Sequence, residues 1–234
     1  MNSMPADRVR EHFEQEAREF DELIQLLIPR YDEMLDALIA AIPFAPERAI
    51  RVIDLGCGTG TLALRIRRRF PRSRITCLDF AENMLELARA KLTNEKEIRF
   101  EQADFNTYEF KETYDAAVSS LALHHLSTGE AKLEFYRRLN AALAPGGVFW
   151  TADASIGSTF TVQAMYEEKW KEFMRRSMTE AQIEERFAKD SQEDHPATLA
   201  DHFRWLEATG FVAPEVIWKY FYCGVYGAHK PSSC

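Results

Sequence analysis

The stretch VIDLGCGTG, residues 52–60, decides the fold, because an apolar run leads directly into three closely spaced glycines. Val52 to Leu55 have the composition of a buried strand. Gly56, Gly58 and Gly60 permit a tight turn that other residues would obstruct. A strand followed by a glycine-rich turn is typical of the first unit of a parallel α/β sheet, where a ligand can touch the main chain. The stretch therefore predicts a ligand site at the carboxyl end of the first strand.

Short apolar runs alternate with helical patterns between residues 50 and 153. This alternation predicts an α/β fold with a Rossmann-like, doubly wound and mostly parallel sheet, covered by helices on both faces. The predicted strands are 50–55, 74–79, 98–103, 114–119 and 147–153, and the predicted helices are about 60–70, 82–93 and 129–143.

Helical patterns also flank this core. Apolar spacing predicts helices over about 9–28 and 31–42, the second ended by Pro43. Residues 160–190 are helical in period and too long for a simple connection, which predicts an inserted helical cover over about 154–196. We expect an N-terminal helical cap, residues 1–48, followed by one domain, residues 49–234.

The C-terminal segment predicts a helix and a hairpin. The helix covers about 197–208, and Gly210 is placed to end it in a left-handed conformation. The strand-like runs 214–220 and 221–228 are too close together for a crossover connection. They should therefore pair as an antiparallel hairpin.

Composition narrows the classes of function. The 234 residues include 29 Lys+Arg against 37 Asp+Glu, a net charge of −8, which argues against direct binding of nucleic acid. No apolar run reaches the length of a membrane span, and the N-terminus is not signal-like, so we expect a cytoplasmic protein. The four cysteines, Cys57, Cys77, Cys223 and Cys234, lack disulfide or metal spacing. Reduced thiols and no metal site are expected.

Two acids at predicted strand ends indicate the kind of ligand. Asp79 closes the second strand, where a carboxylate can accept hydrogen bonds from both ribose hydroxyls of an adenosine. A dinucleotide fingerprint requires G-x-G-x-x-G, whereas this turn reads G-x-G-x-G after Asp54. An acid at that position repels phosphate and can hold an ammonium group. The pattern favours S-adenosylmethionine (SAM) over NAD as the cofactor.

Four segments resemble the successive cofactor motifs of class I SAM-dependent methyltransferases, namely DLGCGTG, CLDFAENMLELAR, QADF and VSSLALHHL. The resemblance extends in order and spacing over residues 50–153. It implies cofactor contacts from Asp54, Gly56, Cys57, Gly58 and Gly60 at the methionine end, Asp79 at the ribose, Phe80, Met84, Asp104 and Phe105 around the adenine, and Ser119, Ser120 and Leu121 beneath the sulfonium. Asp104 is also open to interpretation as a turn or cap residue.

The flanking segments FDELIQLLIPRYDEML, RRSMTEAQIEERFAKD and HFRWLEATGF are similar to the carboxy-SAM synthase branch of this superfamily. The resemblance implies that Tyr31, in the segment PRY, approaches the cofactor. The position of that branch's carboxylate-binding arginine is held by Phe187, with Arg186 beside it. Arg30 is the alternative cation from the preceding segment.

His124 and His125 follow the fourth predicted strand, at an edge where an imidazole can remove a proton from an acceptor. The alternative is that one caps a turn and the other packs beneath the sheet. Methyl transfer also proceeds by positioning alone, because the sulfonium is already electrophilic. We expect a methyltransferase with a small-molecule acceptor. The alternatives are a carboxy-SAM synthase-like enzyme of tRNA wobble-uridine modification and a noncatalytic SAM-binding regulator. The N-terminal helices could pack across a homodimer.

Overall fold

The computed structural model describes residues 19–232, and of residues 189–193 it describes the backbone alone. The first half of the helix expected over 9–28, and Cys234, therefore lie outside the described residues. The strands are β1 (Arg51–Leu55), β2 (Arg74–Asp79), β3 (Ile98–Gln102), β4 (Tyr114–Ser120), β5 (Leu143–Ala154), β6 (Val212–Tyr220) and β7 (Cys223–His229). They form one seven-stranded sheet in the order β3-β2-β1-β4-β5-β7-β6.

The sheet is parallel except at its C-terminal edge. Strands β1 to β5 pair in parallel, whereas β7 is antiparallel both to β5 and to β6. The strand order reverses between β1 and β4, which places a crevice beyond their carboxyl ends. The expected α/β sheet with a C-terminal antiparallel hairpin is confirmed.

Helices cover both faces of the sheet and connect its parallel strands. They are α1 (described over 19–27), α2 (Tyr31–Ala40), α3 (Thr61–Arg69), α4 (Glu82–Lys91), α5 (Gly129–Ala142), α6 (Phe160–Met174), α7 (Glu180–Glu193) and α8 (Leu199–Ala208). Thr128, Thr159 and Thr198 begin α5, α6 and α8, each accepting an amide hydrogen bond at its side chain. Gly210 follows α8 with φ +91°, as its position after the helix predicted.

Alternating side chains of the strands divide the core into two layers. Val52, Val118 and Trp150 belong to the layer that includes α2 and α3, whereas Ile53 and Phe149 belong to the layer with α5. The residues before the core contribute directly to the first layer. There, the carbonyl of Leu27 at the end of α1 accepts hydrogen bonds from Trp170 Nε1 at 2.8 Å and the Tyr222 hydroxyl at 3.3 Å. This fixes α1 near the carboxyl ends of the strands.

Three boundaries differ from the sequence expectations. Strand β5 begins at Leu143, not 147, because pairing with β4 continues past the Pro145–Gly147 segment through a register shift. The insertion is two helices, α6 and α7, separated by residues 175–179. In the hairpin, Phe221 adopts φ +48° and makes the turn, so β7 begins at Cys223. None of the described helices is long and apolar enough to cross a bilayer.

Candidate functional site

A cavity of about 410 Å³ lies in the crevice beyond β1, β2 and β4, with α1 and the start of α2 on one side. This volume lies within the range of small-molecule sites. The structure brings most of the predicted site residues to its wall: Tyr31, Asp54, Gly56, Cys57, Gly58, Asp79, Phe80, Met84, Asp104, Phe105, Ser120, Leu121 and His125.

The glycine turn forms the floor of the cavity. Gly56, Gly58 and Gly60 all have positive φ, at 69°, 51° and 79°. A Cβ on Gly56 would lie 2.3 Å from the Ala122 Cβ, and one on Gly60 would lie 2.8 Å from the Leu92 Cδ1. A Cβ on Gly58 would meet nothing within 4 Å, so this position requires glycine for its conformation alone. Gly60 begins α3 behind the cavity and shapes the turn from there.

Asp54 is the least compensated charge in the cavity wall. Its side chain is fully buried, and neither carboxylate oxygen makes a hydrogen bond of normal geometry within the described part of the chain; the Ala63 amide in α3 stabilises the charge only in part. Burial, followed by the nearby Asp79 carboxylate, raises the pKa of Asp54 to about 7. A buried carboxylate of this kind is stabilised by a cation that enters the cavity.

Asp79 is held in place by two backbone amides. The Gly58 amide donates to its Oδ2 at 2.8 Å, and the Ala81 amide donates to its Oδ1 at 3.0 Å. Each carboxylate oxygen retains a second lone pair, so the group can also accept hydrogen bonds from a ligand diol. Since β1 and β2 pair in register through Leu55 and Leu78, Asp79 lies beside the glycine turn.

The rim of the cavity is more exposed. The Phe80 side chain is 69% exposed and can cover a flat ring system. Asp104 Oδ1 accepts hydrogen bonds from the Asn106 amide at 2.8 Å and from its Nδ2 at 2.9 Å. Asp104 is thus a turn residue, which was the alternative interpretation of its sequence position. It also lines the cavity.

The segment after β4 contributes Ser120 and Leu121. Ser119 points into the sheet, where its hydroxyl donates to the Leu55 carbonyl at 2.7 Å. Ser120 Oγ is buried and lies beside the Tyr31 hydroxyl, a contact that lowers the pKa of that hydroxyl. Leu121 has φ +53°, an uncommon value for a residue with a side chain, and it turns the chain at the cavity wall.

Tyr31 reaches the cavity from the first turn of α2. Burial raises the pKa of its hydroxyl to about 12, against an opposing effect of Ser120. Tyr31 is therefore a neutral phenol near pH 7, able to donate a hydrogen bond but not to act as a base.

The arginine candidates lie elsewhere. Arg30 is exposed, pairs with Glu33 at 3.1 Å and lies over the Tyr220 ring, and neither it nor Arg186 is among the described residues that line the cavity.

The two histidines occupy different environments. His125 is half-exposed and lines the cavity, whereas His124 is nearly buried behind it. His124 Nδ1 lies 2.5 Å from Asp153 Oδ1, and the His124 amide donates to Asp153 Oδ2 at 3.1 Å. Burial alone would raise the pKa of Asp153, but the neighbouring His124 ring lowers it below its ordinary value.

Several polar residues at the site escaped the sequence analysis. Asp21 on α1 lines the cavity and accepts hydrogen bonds from the Thr59 hydroxyl at 2.7 Å and the Thr61 hydroxyl at 3.1 Å. Lys91 Nζ donates to the same two hydroxyls, at 2.7 Å each, and forms an ion pair with Asp21. Thr59 and Thr61 lie at the glycine turn, but nothing in the sequence indicates that this turn contacts Asp21 on α1, some 40 residues earlier. Asp153, by contrast, could have been recognised from the sequence, because it is an acid at the end of a predicted strand.

Comparison with known proteins agrees with this geometry. Residues 52–147 match the family model described as a methyltransferase domain. This match, together with the relatives described below, supports the class I SAM-dependent methyltransferase superfamily. The same comparisons support SAM as the cofactor. The resemblance read from the cofactor motifs is thereby confirmed.

Individual relatives show how far the similarity extends. A malonyl-[acyl-carrier protein] O-methyltransferase of Bacillus anthracis is 33% identical over 84 residues, which cover 36% of this chain and 31% of that protein. An enzyme of the same name from Ilyobacter polytropus is 26% identical over 201 residues, 86% of this chain and 71% of that protein. The human N-acetylserotonin methyltransferase structure has a TM-score of 0.62 at 16% identity, covering 98% of this chain and 61% of that one. These relatives do not test the resemblance of the flanks to the carboxy-SAM synthase branch, which stays a prediction.

The cavity residues fit SAM on structural grounds. Asp21, Asp54, Asp79 and Asp104 line the cavity, and no lysine or arginine is among its described lining residues. A cofactor with a sulfonium and an ammonium group suits such a wall. The buried carboxylate of Asp54 is the clearest complement to that charge.

Proposed function

We propose that this protein transfers a methyl group from SAM to a small-molecule acceptor. The observation that carries the proposal is the buried carboxylate of Asp54, placed beside the glycine turn and Asp79 in one cavity. The match to the methyltransferase family model supports the reaction class. The acceptor is inferred from the shape of the site alone, because a concave cavity of this size suits a small molecule.

The residues divide into three groups toward the cofactor. Asp54 and the main chain of the glycine turn would hold the methionine end. Asp79, fixed by the amides of Gly58 and Ala81, would accept from the ribose hydroxyls. The residues proposed around the adenine are Phe80, Met84, Asp104 and Phe105. The bound cofactor supplies an electrophilic methyl group, so the protein has only to bring a nucleophile into line with it.

The acceptor side is formed by the segments that cover the cavity. Tyr31, Ser120 and Leu121 lie on the wall contributed by α2 and the end of β4, and His125 lies on the turn that follows. We propose that Tyr31 donates a hydrogen bond that orients the acceptor, since its hydroxyl stays protonated. The covering helices would also exclude water, which favours transfer to the acceptor.

Plain SAM is the proposed cofactor, in preference to a carboxylated one. A carboxylated sulfonium adds an anion that a partly closed pocket must neutralise with a fixed cation, best an arginine. Neither Arg30 nor Arg186 is among the described residues of the cavity wall, which instead carries four carboxylates. These observations disfavour the carboxy-SAM synthase alternative.

Two measurements test the proposal. Mass spectrometry of the ligand that co-purifies with the protein, from cells able to make prephenate, should find SAM or S-adenosylhomocysteine. Recovery of the carboxylated cofactor would contradict the assignment. A turnover assay with an acceptor panel, including malonyl-acyl-carrier protein because of the names of two relatives, should release S-adenosylhomocysteine. Retention of SAM without turnover on any acceptor would favour the noncatalytic regulator.

A further inference from the structure

Three side chains of types that can ligate a metal ion lie close together beside the cavity. His124 Nε2 is 3.5 Å from Asp194 Oδ1, and His125 Nδ1 is 3.3 Å from the same oxygen. All three atoms lie within 4.8 Å of one another. We infer that His124, His125 and Asp194 form a binding site for one divalent transition-metal ion. This inference revises the expectation of no metal site, which considered only cysteine spacing.

The separations of Asp194 from the two histidines are compatible with one shared ion. Charge-assisted hydrogen bonds between nitrogen and a carboxylate oxygen are about 2.7–2.9 Å long, shorter than both contacts of Asp194. Nitrogen and oxygen ligands lie about 2.0–2.2 Å from Zn²⁺, so two ligands at a tetrahedral angle are separated by about 3.4 Å. Both measured separations agree with that span.

A buried carboxylate orients one of the proposed ligands. Asp153 is 1% exposed, and its Oδ1 lies 2.5 Å from His124 Nδ1 and accepts from the Ala154 amide at 2.8 Å. With Nδ1 facing Asp153, the nitrogen that His124 would offer to an ion is Nε2, the atom that faces Asp194. Metal-binding histidines are characteristically held in this way by a carboxylate behind the ring.

The main chain brings the ligands together without an ion. The His195 amide donates to the His124 carbonyl at 2.9 Å, and Lys132 Nζ donates to the His195 carbonyl at 2.8 Å and to the Leu126 carbonyl. These bonds join the segment after α7 to the turn after β4.

The donor set indicates which ions bind. Two imidazoles and one carboxylate suit Zn²⁺ or Co²⁺, whereas Mg²⁺ and Ca²⁺ favour oxygen ligands throughout. Three protein ligands leave one tetrahedral position open, as in catalytic metal sites. His125 also lines the cavity, so an acceptor oxygen could take this position and lose its proton to solvent more readily. This role in the reaction rests on the proposed function, whereas metal binding itself does not.

Titration of the metal-free full chain, with any purification tag removed, tests the site. We expect one Zn²⁺ or Co²⁺ per chain by calorimetry, and visible absorption from Co²⁺ in a nitrogen and oxygen environment. His125→Ala and Asp194→Asn should each weaken binding at least tenfold. Asp153→Asn should weaken it about 10–100-fold by releasing the His124 ring. His195→Ala is the matched control and should bind as the unaltered chain does, since its contacts here use the main chain.

Two outcomes would overturn the inference: no ion bound at one per chain, or equal affinity in the Asp194→Asn protein. Intense near-ultraviolet absorption of the Co²⁺ form would assign the ion to thiolates and also overturn it. Calorimetry with S-adenosylhomocysteine on every variant separates the site from the proposed function. Unchanged cofactor affinity with lost metal binding supports a distinct site. Metal-independent turnover would refute only the role of the ion in the reaction.

Discussion

The cofactor affinity should depend on the protonation of Asp54. This side chain is fully buried, and its pKa is raised to about 7 by burial and by Asp79, a rise that the Ala63 amide offsets only in part. At pH 7 about half of the unliganded protein would carry a protonated Asp54. The ammonium group of SAM or S-adenosylhomocysteine favours the ionised form, so binding should release a proton.

The magnitude follows from the ionised fraction. With a pKa of about 7, this fraction falls from about one half at pH 7 to about one eleventh at pH 6. The affinity should therefore fall about fivefold over this unit and about ninefold over the next, from pH 6 to pH 5. The ligand itself does not interfere in this window, because an α-amino group titrates near pH 7.7–8.0.

Calorimetric titration with S-adenosylhomocysteine at several pH values between 5 and 7 measures this dependence. Repeating each titration in two buffers of different ionisation enthalpy counts the released protons, about 0.5 at pH 7 and 0.9 at pH 6. Asp54→Asn should bind more weakly and lose the pH dependence. Asp104→Asn, at an exposed acid of the same cavity, should keep it. Equal affinity at pH 7 and pH 5 without proton release would refute the reasoning.

Asp54 should also destabilise the unliganded protein. Its folded pKa of about 7 is above the unfolded value near 3.8, so the folded state binds the proton more tightly. Stability is then lost as the pH rises between these two values. The shift corresponds to at most about 4 kcal/mol at 1.36 kcal/mol per pKa unit. Asp54→Asn should therefore raise the melting temperature of the unliganded protein at pH 8, while the unaltered chain regains stability on binding S-adenosylhomocysteine.

Three further substitutions test other parts of the site. Asp79→Ala should weaken S-adenosylhomocysteine binding about tenfold to a hundredfold by calorimetry, since a carboxylate that accepts two hydroxyl hydrogen bonds contributes about 1.5–3 kcal/mol; unchanged affinity in a folded protein would remove the ribose assignment. Tyr31→Phe should lower kcat while leaving that affinity nearly unchanged, with Tyr220→Phe on the hairpin as control, and equal turnover would limit Tyr31 to packing. Lys91→Met should lower the melting temperature by about 2–10 °C, because it leaves Asp21 without its cation at a cost of about 1–3 kcal/mol, whereas the exposed Lys111→Met should have little effect.

The central fold was predictable because local patterns and the global arrangement agree there. The apolar runs that end at Leu55 and Asp79 became β1 and β2, and the glycine turn follows β1 at the expected edge of the sheet. The fifth strand was expected to begin at 147, yet its pairing with β4 already starts at Leu143. Cross-strand hydrogen bonds can override a local turn preference, and a single sequence contains no information about them.

The composition of the site was predictable only where the ligand-binding residues are close in sequence. Asp54 and Cys57 stand within one motif, and both line the cavity. Asp21 comes from α1 and Asp194 from the segment after α7, and contacts between elements distant in sequence place both of them. Helical periodicity identifies the buried face of such a helix, but it does not show which polar residue at its end meets another element.

Three acids at the same edge of the sheet show how hydrogen-bond partners give similarly placed carboxylates different roles. Asp54 and Asp79 lie at the ends of β1 and β2, and Asp153 lies at the end of β5. Asp79 is fixed by two amides and can accept from a neutral diol, whereas Asp153 is engaged by His124 and serves to orient an imidazole. Asp54 makes no hydrogen bond of normal geometry to an amide or to an imidazole among the described residues. Its buried negative charge therefore still requires a cation. Strand position thus decides where these carboxylates stand, and the neighbouring donors decide which chemistry each one can support.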